Sequence, residues 1–222
     1  MLILALDAST PVIAVAVARA EVGQREILAE ISVTTRGASE ALLPSIHAAL
    51  NLAGEELGAV QRVLCGVGPG TFTGIRIAAS TARAIALGTG ATLAKNSTLA
   101  ALAAPALTVA PDVLAVLDAK RGEVFVRRTF DEGEGEIVCV KPDELHVEGE
   151  PFIIGDGAIR YREGISPLGL IPPDESPLHR VTAAGHVMSG DLSPVQTEGL
   201  VPIYVRQPDA EVRRDLNPWS RP

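Results

Sequence analysis

The stretch Val63-Leu64-Cys65-Gly66-Val67-Gly68-Pro69-Gly70-Thr71-Phe72-Thr73-Gly74 decides how this 222-residue chain reads. Val63 to Val67 is a short apolar run, β-branched in part and broken by glycine, the pattern of a buried strand. The loop Gly68, Pro69, Gly70, Thr71, Phe72, Thr73, Gly74 is rich in residues that accept positive φ or start helices. Ile75 to Leu87 then reads as a helix, with Gly88 or Gly90 at its left-handed C-terminal cap. Strand, glycine loop and helix form the unit that elsewhere cradles phosphate. Two details argue against phosphate here. A Walker A loop ends in Gly-Lys-Ser/Thr, and no lysine lies between Gly68 and Gly74. A dinucleotide fingerprint is G-x-G-x-x-G, whereas the third glycine here is displaced by one position. A tight turn that lets the helix pack closely on its strand is the preferred reading.

That helix has only a thin polar stripe, Arg76, Ser80 and Arg83, among Ile75, Ile77, Ala78, Ala79, Ala82, Ala84, Ile85, Ala86 and Leu87. A helix apolar nearly all round is covered on more than one side. Its own sheet covers one side; a neighbouring helix or a second chain covers the other. Upstream, Leu42, Ile46, Ala49, Leu50 and Ala53 share one face of another helix, with Ser39 as its N-cap. Pro44 requires either a start near Leu43 or a kinked first turn. Leu43, Ala48 and Leu52 lie off the main face, and His47 sits on the polar edge with Asn51.

Bulk composition bounds the function. Net charge is −8 with a pI near 5.0, and no Lys/Arg run appears, which argues against an independent nucleic-acid binder. With 47% hydrophobic but 3% aromatic residues, the core must be built from Ala, Val, Leu and Ile. Cys65 and Cys139 lie in apolar runs without a Cys-x-x-Cys partner and read as buried thiols in a reducing compartment. No signal peptide or membrane-spanning stretch is recognised, so a cytoplasmic protein is expected.

Leu2 to Leu6, ending in Asp7, reads as a buried strand, followed by a turn and a second strand from Val12 to Val17. Asp7, Ser9 and Thr10 fit either a phosphate-linked metal site or an Asx-type turn, and the turn is preferred. Val113 to Val126 repeats this opening: an apolar run ends in Asp118-Ala119, a polar turn follows, and a second apolar run begins at Val124. Asp7 and Ile13 map to Asp118 and Val124 by one displacement, half the chain. Two lobes of related topology are therefore expected, 1–107 and a smaller 108–222, with a hinge between Pro105 and Pro111. Further expectations are a strand from Ile27 to Val33, a helix from Ser97 to Leu107, a hairpin tip at Asp131 to Glu136 and a strand into a glycine turn at Phe152 to Gly157. They continue with a helix from Thr182 to Met188, an edge strand from Val201 to Arg206 and a mobile tail from Asp209 to Pro222.

Leu4 to Thr10, Gly68 to Ile77, Asp118 to Phe125, Gly155-Asp156-Gly157 and Pro202 to Arg206 resemble the bacterial TsaB (YeaZ) family, in its order and nearly end to end. The resemblance implies a two-lobed actin/hexokinase-like (ASKHA) α/β fold with mixed sheets flanked by helices. It implies a non-catalytic role in making N6-threonylcarbamoyladenosine beside the tRNA anticodon, bound to the transferase TsaD and joined by the ATPase TsaE. No catalytic residue, metal or cofactor of its own is expected, with a nucleotide confined to the complex, and the isolated chain is expected to form a homodimer. TsaD-like proteins hold a metal with a His-x-x-x-His pair; Ser97 and Ala101 occupy those positions here, and alanine cannot coordinate. Asp7, Ser9, Thr10 and Asp118 then mark a vestigial phosphate site. Ala38 stands where the family often carries histidine. The candidate partner surface is Leu42, Leu43, Ile46, Ile75, Ala79, Ala82, Arg83 and Ala86, read from the two wide apolar arcs. A nucleotide- or metal-dependent kinase or hydrolase of the same fold is the alternative.

Overall fold

The computed structural model describes residues 1–35, 37–130 and 133–205. The expected tail from Asp209, and Asp131 and Glu132 of the hairpin tip, lie outside the described residues.

The first sheet contains β1 (Leu2–Asp7), β2 (Val12–Glu21), β3 (Gln24–Thr34), β4 (Arg62–Gly66) and β5 (Thr92–Asn96), in the order β3-β2-β1-β4-β5. β1 pairs antiparallel with β2 and parallel with β4. The second sheet runs β10-β6-β7-β8, with β9 also on β7. Its strands are β6 (Asp112–Lys120), β7 (Glu123–Phe130), β8 (Gly133–Glu134), β9 (Val138–Val140) and β10 (Phe152–Ile154). β6 is antiparallel to β7 and parallel to β10, so the repeat read from the two aspartate-ended runs is a repeat of topology. This is the expected α/β arrangement of two mixed sheets flanked by helices.

Strand parity assigns the faces. Leu2, Leu4 and Leu6 pack against α1 (Ala38–Ala53) and α2 (Phe72–Thr89). Ile3 and Ala5 point the other way, with Ala14, Ala16 and Leu64, against Ala183 and Val187 of α6 (Ala183–Ser189). Asp7 shares their parity and therefore faces α6. In the second sheet, Val113, Ala115 and Leu117 pack on Leu99 and Leu102 of α3 (Thr98–Ala106). Leu114 and Val116 meet Ala158 of α4 (Asp156–Arg160) and Ile165 of α5 (Arg162–Ile165).

Several local expectations change. α1 starts at Ala38 with Gly37, not Ser39, at its N-cap, and it runs on through Pro44. Glu40 and Ala41 donate to the Gly37 carbonyl, so backbone geometry sets the start without a serine cap. Pro44 is tolerated on the exposed side of the helix. α2 ends on Gly90 at φ 75°, as its glycine suggested. Cys65 is buried, but Cys139 is only half-buried, because β9 is a short pairing on the outer side of β7.

The expected edge strand from Val201 is instead a strap without ladder pairing among its described residues. Arg83 of α2 donates to the carbonyls of Thr197 and Leu200, and Lys95 to that of Gly199. Ile203 donates its N–H to the Val67 carbonyl, and Leu200 is fully buried in the first core. Pro202 has no N–H for a ladder.

Candidate functional site

The glycine loop closes against the first turn. A Cβ on Gly70 would overlap the Ser9 carbonyl, one on Gly74 the Ala8 carbonyl, and one on Gly66 the Asp7 carboxylate. Thr71 donates its N–H to the Ser9 carbonyl at 2.6 Å, so this loop amide is engaged within the chain. These glycines serve close packing of strand, loop and helix, the reading preferred from the sequence.

Asp7 lies at the centre of a sealed polar cluster. Its Oδ1 accepts the Ser9 N–H at 2.6 Å, and its Oδ2 accepts the Thr98 hydroxyl at 2.8 Å and the Nε2–H of His186 at 2.7 Å. The hydroxyls of Ser9 and Thr98 lie 2.9 Å apart. Asp7, Ser9, Thr98 and His186 are all buried. Burial alone would raise the Asp7 carboxyl. The hydrogen bond and charge of His186, with the donors of Ser9, outweigh it and hold the group below the ordinary value of 3.8. Burial and the nearby Asp7 charge together push the Cys65 thiol far up, so it is not a nucleophile.

The sequence suggested an Asx-type turn at Asp7, and the Ser9 bond is that turn. His186 has no ligand-spaced neighbour in the sequence; it lies 179 residues from its partner, beyond any local pattern. Thr10 does not join the cluster: its hydroxyl bonds within its own turn to the Val12 backbone. Asp118 sits on the other sheet and faces α4. Its carboxylate meets Lys120 Nζ at 2.7 Å and Arg160 Nε at 3.5 Å. Its backbone N–H donates to Asp156, whose carboxyl is raised by burial and by the Asp118 charge.

Neither implied ligand fits these residues. Both Asp7 oxygens are engaged by the chain itself, which leaves no place for a metal-bound phosphate. At the transferase-like metal positions, Gly185 of α6 packs directly on the Ala101 carbonyl. Among the described residues, no group of three His, Cys, Asp or Glu side chains can hold a metal ion.

The helix pair offers a second kind of site. Of the candidate partner residues, Leu42, Ile46, Ala79 and Ala82 belong to the first core and Ile75 is buried beside them, because the arcs that carry them face inward. Arg83 and Ala86 are half-buried, and Leu43 is 59% exposed. The surface of the pair is formed by Leu43, Leu52 (71% exposed), Phe72, Arg76, Ser80 and Leu87 (89% exposed). Between α1 and α2 runs an open groove of about 490 Å³ over Leu43, Phe72, Arg76 and Ile77. At its end the Arg76 guanidinium stacks 3.7 Å from the Phe72 ring centre, and Tyr204 of the strap packs on Phe72 at 5.5 Å.

Among the described residues, no helix is long and apolar enough to cross a membrane. The sequence model of the family "TsaD: tRNA N6-adenosine threonylcarbamoyltransferase" matches residues 26–144, more than half of the chain. The tRNA threonylcarbamoyladenosine biosynthesis protein TsaB of Escherichia coli K12 is 31% identical over 170 residues, 71% of this chain and 72% of that protein. TsaB of Bacillus subtilis is 25% identical over 235 residues, covering 96% and 97% of the two chains. The solved structure of YeaZ from Pseudomonas aeruginosa superposes with a TM-score of 0.76 at 25% identity, over 91% of this chain and 99% of that one. The fold of two mixed sheets flanked by helices is thus shared with YeaZ along nearly the whole length, and the chain belongs to the TsaB (YeaZ) family, within the wider family that the transferase model describes.

Proposed function

We propose that this chain is a non-catalytic assembly subunit in the synthesis of N6-threonylcarbamoyladenosine on tRNA. It docks a TsaD-like transferase through the exposed surface of α1 and α2, with a TsaE-like ATPase joining the assembly and a homodimer as the resting form. The pathway follows from the names of its TsaB relatives. The observation that carries the non-catalytic reading is the sealed aspartate: Asp7, which a kinase-like relative would turn toward phosphate, is saturated by Ser9, Thr98 and His186. On this reading the chain needs no cofactor of its own and works in the cytoplasm. Leu43 and Phe72 support docking, since exposed apolar and aromatic side chains that line one groove mark interfaces.

Leu43 is the residue to test, because it is exposed and its replacement leaves the core intact. Leu43→Glu should keep its Tm within about 2 °C of the parent and lose co-elution with the cognate transferase. Modification of tRNA should then fail with the variant and resume with the parent chain. Unchanged co-elution would remove the docking surface from this face. Tight binding of ATP and Mg²⁺ by the isolated chain, measured by calorimetry, would overturn the non-catalytic reading in favour of a kinase or hydrolase.

A further inference from the structure

We propose that His186 is a built-in ligand of the Asp7 pocket, and that the pocket, once its imidazole is removed, becomes a binding site for free imidazole. This inference rests on the buried cluster alone and is independent of the docking role.

Three observations carry it. First, α6 is fastened at both ends by groups other than His186. Glu30 of β3 accepts the Ala184 N–H at 2.8 Å, at the helix start. Arg25 of the same strand donates to the carbonyls of Val187 at 2.5 Å and Gly190 at 2.8 Å, at the helix end. An anion at the N-terminus and a cation at the C-terminus match the helix dipole. Ala183 and Val187 add apolar anchorage in the sheet core, and the Thr182 hydroxyl caps the Gly185 N–H. Shortening the side chain at 186 therefore leaves the helix in place and opens a hole over Asp7.

Second, the hole is chemically specific. Its floor is a fully buried carboxylate that keeps the Thr98 and Ser9 donors but loses its third. A buried carboxylate stripped of a partner strongly favours recovering an N–H donor. Third, Nδ1 of His186 is buried and makes no hydrogen bond among the described residues. The ring thus acts through one N–H and its shape, both of which a free imidazole supplies. In His186→Ala the alanine keeps the Cβ, and imidazole replaces the rest of the side chain.

The experiment uses the full-length His186→Ala variant, purified without imidazole, and reads thermal unfolding against added imidazole. The variant should melt about 10 °C below the parent, as expected for breaking a buried pair in a chain of this size. Imidazole should raise its Tm in a saturable way and leave the parent unchanged. The double variant Asp7→Asn/His186→Ala should show no such rescue. A flat titration, or equal rescue in the double variant, would overturn the proposal. If His186→Ala does not fold, ¹⁵N NMR of the parent decides instead. A slowly exchanging proton on Nε2 that disappears in Asp7→Asn supports the pairing, and an Nε2 without a proton overturns it.

Discussion

The two strands that carry the repeated aspartate, β1 and β6, begin from the same sequence pattern and the same pairing, yet they reach different ends. Asp7 is covered by α6 and α3, its partners are all buried, and its carboxyl titrates low. Asp118 lies under Lys120 and Arg160, cations that are themselves more than half exposed. The difference is one of cover. The face to which Asp7 points is closed by a helix from the far end of the chain, whereas the Asp118 side chain, only 3% exposed, is covered beside the short α4 by cations that themselves reach solvent. A repeated topology thus holds one aspartate among buried partners and the other beneath solvent-facing cations.

The largest expected effect breaks the first end at its backing. Gly74→Ala drives a methyl group into the Ala8 carbonyl and should cost more than about 4 kcal/mol, read as loss of soluble protein or collapse of the urea midpoint. Gly88→Ala, in open space on the same helix, should instead stabilise by about 1 kcal/mol. Next comes the aspartate pair. Asp7→Asn leaves His186 without its buried charge partner and should cost about 3 kcal/mol or more. Asp118→Asn should cost about 0–1 kcal/mol, because solvent screens its exposed cations. Equal losses would erase the contrast.

Acid sharpens it further. The Asp7 pKa is depressed on folding, so its contribution is present above the ordinary carboxylate value and is lost as pH falls through the folded value. The gap between the parent and Asp7→Asn should therefore close below about pH 4. Asp156, behind Asp118, has the opposite sign. Its pKa is raised, so ionisation costs stability as pH rises above 3.8, and Asp156→Asn should gain about 1 kcal/mol at neutral pH. That small gain should vanish in acid. A loss at neutral pH would show that the Asp118 N–H requires the charged acceptor.

Much of the first lobe was legible in the chain. The run Val63 to Val67, the displaced glycines and the small-residue helix gave β4, the close-packed loop and α2, because each is decided by neighbours in sequence. The burial of Asp7 was half legible: alternation from Leu2 fixes the face it takes, but nothing local names what covers that face. His186 escaped because a single imidazole with no spaced partner carries no signal across so many residues. Five of the residues read as a partner surface are core for a related reason. A wide apolar arc tells how much of a helix is covered, and only the sheet's position shows that Leu42 and Ile75 point inward while Leu43 points out. The run from Val201 suggested an edge strand, but Pro202 offers no N–H and the segment is held by separate bonds such as that of Ile203 to Val67.

The strap has an evolutionary corollary. Arg83 and Lys95 grip it through peptide oxygens, which every amino acid presents alike. Thr197 to Gly199 are therefore free to drift in composition while holding their path, whereas Leu200, Ile203 and Tyr204 pack through their side chains. The two basic residues that grip the strap are not free to drift. Related chains should vary at Thr197 to Gly199 and stay basic at the grips.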